Sequence, residues 1–254
     1  MIRRQREIDT PHISWPDKLA YALPALSLAI IGIPVYVFLP KFYTDTIGLS
    51  MSTIGILLMA VRLFDAVTDP VIGYLSDRSA SRFGRRKPFI ASGSVGLAIS
   101  IIFLFKPPVL SGAMMNIYFG FWLFALFFFW TLVAIPYESL GPEMTRDYHE
   151  RTALFSMRDG FLIIGTLLAA AFPMLIDGIM NIVGKAATER ERFSLMALVF
   201  APLIVMFSFY CIYRIKEKYQ HTASDDLVKG FSAVLRNRPF LILISGYTIS
   251  AVGS

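Results

Sequence analysis

"RLFDAVTDPVIG", residues 62–73, is the stretch on which the reading of this chain turns. It sits in a run of Ile, Leu, Met, Ala and Val that begins at Met51, yet it carries Arg62, Asp65 and Asp69. Spacings of i, i+3 and i+7 put all three charges on one stripe of a helix. A charge at the centre of a bilayer costs roughly 2.5–3.5 kcal/mol on insertion scales, so such a stripe must face protein or water, not lipid.

The sequence around the stretch shows that its helix belongs in a membrane. Of 254 residues, 56% are hydrophobic and only 17% charged, with a mean hydropathy of +0.60. Soluble domains are about a quarter charged. Windows of about 20 apolar residues follow one another, each long enough to cross roughly 30 Å of hydrocarbon as a helix. The pattern predicts spanning helices at 19–40, 51–75, 88–105, 114–138, 153–177 and 193–213. A seventh is expected to start near Phe240 and breaks off at Ser254. The expected fold class is an all-α polytopic membrane protein. Its parts are a polar segment 1–18, a six-helix bundle 19–213, a central loop 214–239 and the start of a seventh helix at 240–254. Six helices and a basic loop are the size of one half of a transporter built from two related halves, so a twelve-helix protein is expected.

Residues 1–18 are polar and basic, so the first apolar segment is expected to act as its own insertion signal. The one cysteine, Cys211, can form no intrachain disulfide. Seventeen Lys and Arg residues fall on the side of the N-terminus and five on the other, with Arg62 and Arg158 inside helices. The positive-inside rule then places the N-terminus in the cytoplasm of a multi-pass plasma (inner) membrane protein. That distribution accounts for the net charge of +6 without a nucleic-acid partner. The expected partners are the bilayer, a small-molecule substrate and a cation, and the complete protein is expected to be monomeric.

Two carboxylates on the stripe outnumber its one arginine, which points to a cation site at Asp65 and Asp69; the other reading is an Arg–Asp pair that locks helices together. Pro70 has no N–H and frees the carbonyl of Ala66, and Thr68 adds a hydroxyl. Pro136 likewise frees the carbonyl of Leu132 beside Thr131. At about 1.5 Å per residue, Asp65 and Thr131 lie at similar depth. Such oxygens suit Na⁺, with Asp65 and Asp69 as its metal ligands, or H⁺; the prolines equally suit plain helix kinks. Glu138 and Arg158 are expected near the inner ends of their helices. The five charges together leave one net negative charge, which a monovalent cation or a proton would neutralise. Glu138 is also placed to reach the interface.

At this point three blocks of the chain resemble a known family. "RLFDAVTDPVIGYLSDRSASRFGRRKPFI" (62–90), "KFYTDTIGLS" (41–50) and "IPYESLGPEMTRDYHERTALFSMRDG" (135–160) are similar to the glycoside–pentoside–hexuronide:cation symporters, the melibiose permease-like branch of the major facilitator superfamily. The likeness covers most of residues 18–160. It implies twelve helices, alternating access and cation-coupled transport with no cofactor beyond the coupling ion. The two acids of the family's cation site fall on Asp65 and Asp69, its helix 4 threonine on Thr131, and an amide ligand of melibiose permease on Thr68. The resemblance makes Arg158 a lining residue of the substrate cavity, with Tyr137 and Glu138 beside it. Two acids that grip a galactoside in melibiose permease fall on Ala29 and Ala134, and a tryptophan falls on Glu138. A uronide, another glycoside or an amphiphile is therefore expected, with Arg158 available to an anionic group. "GYLSDRSASRFGRRK" (73–87) resembles the superfamily's loop between helices 2 and 3, with five extra residues between Arg78 and Gly84. It implies structural or gating roles for Gly73, Asp77, Arg78, Gly84, Arg85 and Arg86, alongside Arg62; the alternative is a positive-inside loop without specific contacts.

Asp65, Asp69 and Asp77 also echo the Mg²⁺–diphosphate motif of membrane prenyltransferases. That chemistry needs a second aspartate-rich cluster, and the only later acidic pair, Asp225–Asp226, lies in the long loop. The sequence has no nucleophile–base constellation, His/Cys metal cluster, P-loop or dinucleotide fingerprint. His12, His149 and His221 all fall outside the predicted helices. A transporter rather than an enzyme is expected, with a non-transporting sensor on the same fold as a third class.

Overall fold

The computed structural model describes residues 13–217 except 80 and 183, together with 237–242 and 245–246. Six of its helices are long and apolar enough to cross a membrane: α1 (Trp15–Ile47), α2 (Met51–Arg78), α3 (Lys87–Phe105), α4 (Gly112–Met144), α5 (Tyr148–Ile182) and α6 (Glu189–Arg214). Residues 238–242 are also helical. The rest of the expected seventh span, the first twelve residues and most of the central loop lie outside the described residues.

Each of the six full spans expected from 19 to 213 is present, and most run past their apolar limits. Hydropathy marks the hydrocarbon that a helix crosses, whereas backbone hydrogen bonding continues into polar sequence wherever caps and packing support it. Thus α4 passes through Pro136 and Pro142 to Met144, and α5 already begins at Tyr148. Glu138, expected near a helix end, lies inside α4. α1 continues through Pro34 and Pro40 by widening into π-helical turns at Pro34–Phe38 and Tyr43–Ile47. It stops at Gly48, whose left-handed φ of 89° suits a helix C-terminus. α6 starts in a capping box, with Thr188 accepting from the N–H of Glu191 and the Glu191 carboxylate accepting from Thr188.

Around the bundle the packing runs α5–α1–α6–α3–α4–α2. α1 and α3 are the most enclosed, with 56% of their apolar windows buried, against 11% for α2 and 17% for α5. Close approach of α3 to α4 depends on glycine: a Cβ on Gly93 would come within 2.9 Å of Val133 and 3.0 Å of the Leu132 backbone. Gly73 in α2 makes no such demand, because a Cβ there would meet Ile135 at an ordinary 3.5 Å. The close approach that a glycine permits thus falls at Gly93 rather than at Gly73. The fully buried Tyr43 donates its hydroxyl to the Leu104 carbonyl at 2.9 Å and pins the end of α1 to α3.

Candidate functional site

The charged stripe of α2 meets α4. Thr131, itself buried, donates its hydroxyl to Oδ1 of Asp69 at 2.9 Å across the two helices. Depth counting from sequence pairs Thr131 with Asp65 instead, one helical turn away. Depth along each helix does not by itself fix which turn of the neighbouring helix a side chain meets. Asp65 lies one turn from this contact, and its Oδ1 is buried without a hydrogen-bond partner. Its other oxygen is 3.6 Å from Arg62, beyond hydrogen-bonding reach. Arg62 and Asp65 share one helix, so the pair does not lock two helices together. The Arg62 guanidinium instead lies over the rings of Tyr36, at 4.8 Å, and Phe127, at 5.6 Å. Thr68 turns its hydroxyl back to the carbonyl of Phe64 at 3.1 Å, the usual habit of threonine within a helix. The backbone at Leu132 packs on Gly93 of α3, while Thr131 reaches α2.

An acceptor atom buried without a donor loses its hydration with nothing in return, a cost of about 1–3 kcal/mol and more for a charged group. The Asp65 Oδ1 atom is thus an unsatisfied acceptor within the α2 stripe. No group of three or more His, Cys, Asp or Glu able to hold a metal occurs among the described residues. An alkali cation here would complete its shell with hydroxyl or carbonyl oxygens, which the two acids and Thr131 fit in kind.

A second feature lies between α1, α4 and α5: a cavity of about 360 Å³. Ala29, Ala134, Tyr137, Glu138 and Arg158 all line it, so five positions singled out in the sequence converge from three helices on one space. Its walls are mainly apolar, with Trp130 and Tyr36 among them. Tyr137 contributes only its ring, because its hydroxyl donates to the Tyr21 carbonyl at 2.6 Å. Arg158 pairs with Asp159 at 2.8 Å and lies 4.9 Å from the Phe155 ring. Asp159 was missed from sequence, and including it adds a second net negative charge to the five counted there. Its adjacency to Arg158 is a spacing that puts two residues on different helix faces and so gives no pattern signal.

The loop between α2 and α3 makes specific contacts. Arg86 is buried, donates through Nε and Nη2 to Asp77 at 3.1 and 2.6 Å, and reaches the Ser139 carbonyl at 2.7 Å. Arg85 and Arg86 both pair with Glu143 of α4, at 2.6 and 2.9 Å. Arg78 lies over the Tyr74 ring at 4.1 Å. Gly84 takes a φ of 116°, which a residue with a Cβ rarely adopts. Just beyond α6, the Glu217 carboxylate accepts backbone N–H bonds from Arg85, Arg86 and Lys87 at 2.6, 3.1 and 3.0 Å. On the same side Lys18 pairs with Glu150 at 2.9 Å and Arg214 with Asp17 at 3.1 Å. Glu143, Glu150 and Glu217 were not singled out from sequence, because an acid at a polar helix end looks like solvated surface until its basic partner is placed beside it.

A bundle of six membrane-length helices, with Asp69 of α2 held by Thr131 of α4, defines an integral multi-pass membrane protein. The family described as MFS/sugar transport protein matches residues 20–254, and the chain belongs to it. Its relatives include "Uncharacterized symporter YnaJ" of Bacillus subtilis (strain 168), 30% identical over 91% of this chain and 50% of the relative. "Inner membrane symporter YicJ" of Escherichia coli (strain K12) is 27% identical over 82% and 44%. The "Isoprimeverose transporter" of Lactiplantibacillus pentosus is 24% identical over 91% and 49%. The chain thus spans about half the length of the curated relatives it matches.

Proposed function

We propose that this chain forms the cation-binding half of a secondary active transporter that carries a glycoside, uronide or related small organic solute by symport with Na⁺ or H⁺. The observation that carries the reading is the α2–α4 contact, in which Asp69 is held by Thr131 while an Asp65 oxygen one turn away stays buried without a donor. A cation or proton between Asp65 and Asp69 compensates that oxygen and neutralises excess acid, and so favours the conformation in which the site is assembled. Coupling then follows from the cation's differential affinity for the two access states. The solute occupies the cavity lined by Arg158, Glu138 and Tyr137, where an anionic group would compete with Asp159 for Arg158. Symporters and a sugar transporter among the relatives support this class. The N-terminus lies on the cytoplasmic side of the inner membrane, and a second six-helix half completes the transporter as a monomer. The Arg86–Asp77–Glu143 cluster serves as a latch on the cytoplasmic side.

One observation favours a second reading within the class. Ala29 and Ala134 leave the cavity wall mostly apolar, which suits an amphiphile or lipid-like solute. Both readings are tested in proteoliposomes of the full-length protein, with glycosides, uronides and lysolipids offered under an imposed Na⁺ or H⁺ gradient. Accumulation of one class that collapses with the gradient supports symport and chooses between them. Uptake indifferent to both gradients rejects the coupling.

A further inference from the structure

Tyr36 is shared by the two features. It lines the cavity between α1, α4 and α5, and its ring also receives the Arg62 guanidinium at 4.8 Å. It sits in the π-helical turn Pro34–Phe38, a local winding that interrupts α1 beside the cavity. The Phe127 ring stands 5.7 Å from that of Tyr36, and the guanidinium lies within reach of both.

Arg62 has a carboxylate neighbour one turn along its own helix. An arginine free to close on a carboxylate ordinarily does so at about 2.7–2.9 Å, often through two hydrogen bonds. Here the approach stops at 3.6 Å, and the Asp65 Oδ1 atom stays without a partner. The Arg62 side chain is 59% exposed, so burial does not hold it back. Its guanidinium lies instead by the aromatic pair, 4.8 Å from the Tyr36 ring and 5.6 Å from that of Phe127.

We propose that Tyr36 is a positioning residue for the cation site: with Phe127, its ring holds Arg62 off Asp65 and keeps that carboxylate open to the coupling cation. The inference rests on the cation-coupled reading above and adds a route by which the cavity and the cation site communicate. An Arg62 closed on Asp65 is an internal cation that the coupling ion must displace. Cation–π and partly exposed ion-pair contacts are of comparable strength, so the guanidinium is divided between two near-equal holds. A solute seated in the cavity confines the Tyr36 ring against Arg62 and raises cation affinity. By reciprocity, a bound cation raises solute affinity by the same factor.

The test is the Na⁺ or H⁺ concentration giving half-maximal solute uptake by the full-length protein in proteoliposomes. Tyr36→Leu is expected to raise the half-saturating concentration about three- to tenfold, the range that loss of one cation–π contact allows. Tyr36→Phe, which keeps the ring, stays within about twofold of wild type. Phe127→Leu shifts the value in the same direction as Tyr36→Leu and provides a second, independent variant. In an Arg62→Gln background, Tyr36→Leu has no further effect. The inference is overturned if Tyr36→Leu matches wild type, if Tyr36→Phe behaves like Tyr36→Leu, or if the shift is unchanged when Arg62 is absent. A wild-type protein with no cation dependence overturns the symport reading itself, an outcome distinct from a cation-dependent protein indifferent to Tyr36.

Discussion

Thr131 is the residue whose role is most sharply defined by one contact. Thr131 is buried and its hydroxyl donates to the Asp69 carboxylate, so the bond is charge-assisted and shielded from water. Thr131→Val keeps the shape and removes the donor. It is expected to cost about 1.5 kcal/mol, the lower end for a hydrogen bond to a charged group. Tenfold weaker cation activation corresponds to roughly that energy. Thr131→Ser, which keeps the hydroxyl, should stay near wild type, and cation titration of uptake separates the two. At this scale the sequence is most informative where chemistry and context conflict. Asp65 and Asp69 stand out because an apolar helix does not carry acids without reason. Tyr36 and Phe127 do not stand out, because in a chain that is 14% aromatic a ring at a helical position looks like ordinary packing. Glu217 is likewise silent until Gly84 and the first turn of α3 are placed against it.

Helices were legible as elements and illegible at their ends. Twenty-odd apolar residues demand a spanning helix, but nothing in hydropathy says where hydrogen bonding stops. That is why α4 and α5 gained whole turns of polar sequence. Packing between elements was legible only in part. Gly73 and Gly93 are alike as letters, and only the separation of α3 from α4 distinguishes them. Gly93→Ile is expected to destabilise the protein by about 1–3 kcal/mol through overpacking against Val133 and Leu132. Gly73→Ala should melt within a degree or two of wild type in detergent. Equal melting of both variants would contradict the close α3–α4 approach.

For the molecule as a whole, the asymmetry of Lys and Arg predicts which side of the membrane each loop occupies. Cys211 is buried and so shielded from an added thiol reagent. Val109 and Phe83 are exposed in loops on opposite sides of the bundle, at 86% and 73%. Val109→Cys should react from outside intact cells with an impermeant maleimide, and Phe83→Cys only after the membrane is opened. The reverse pattern would invert the topology. The low burial of α2 and α5 leaves their faces to surroundings beyond these six helices, in keeping with a chain half as long as its relatives.

The central claim is that Asp65 and Asp69 couple transport to a cation. The direct measurement compares solute exchange with gradient-driven accumulation in proteoliposomes carrying Asp65→Asn together with Asp69→Asn. Neutral amides keep the size of both side chains and remove the charge that a cation needs. The account predicts that exchange of solute across the membrane continues, while accumulation against its gradient is lost. Accumulation that persists in the double variant and still follows the Na⁺ or H⁺ gradient would contradict it.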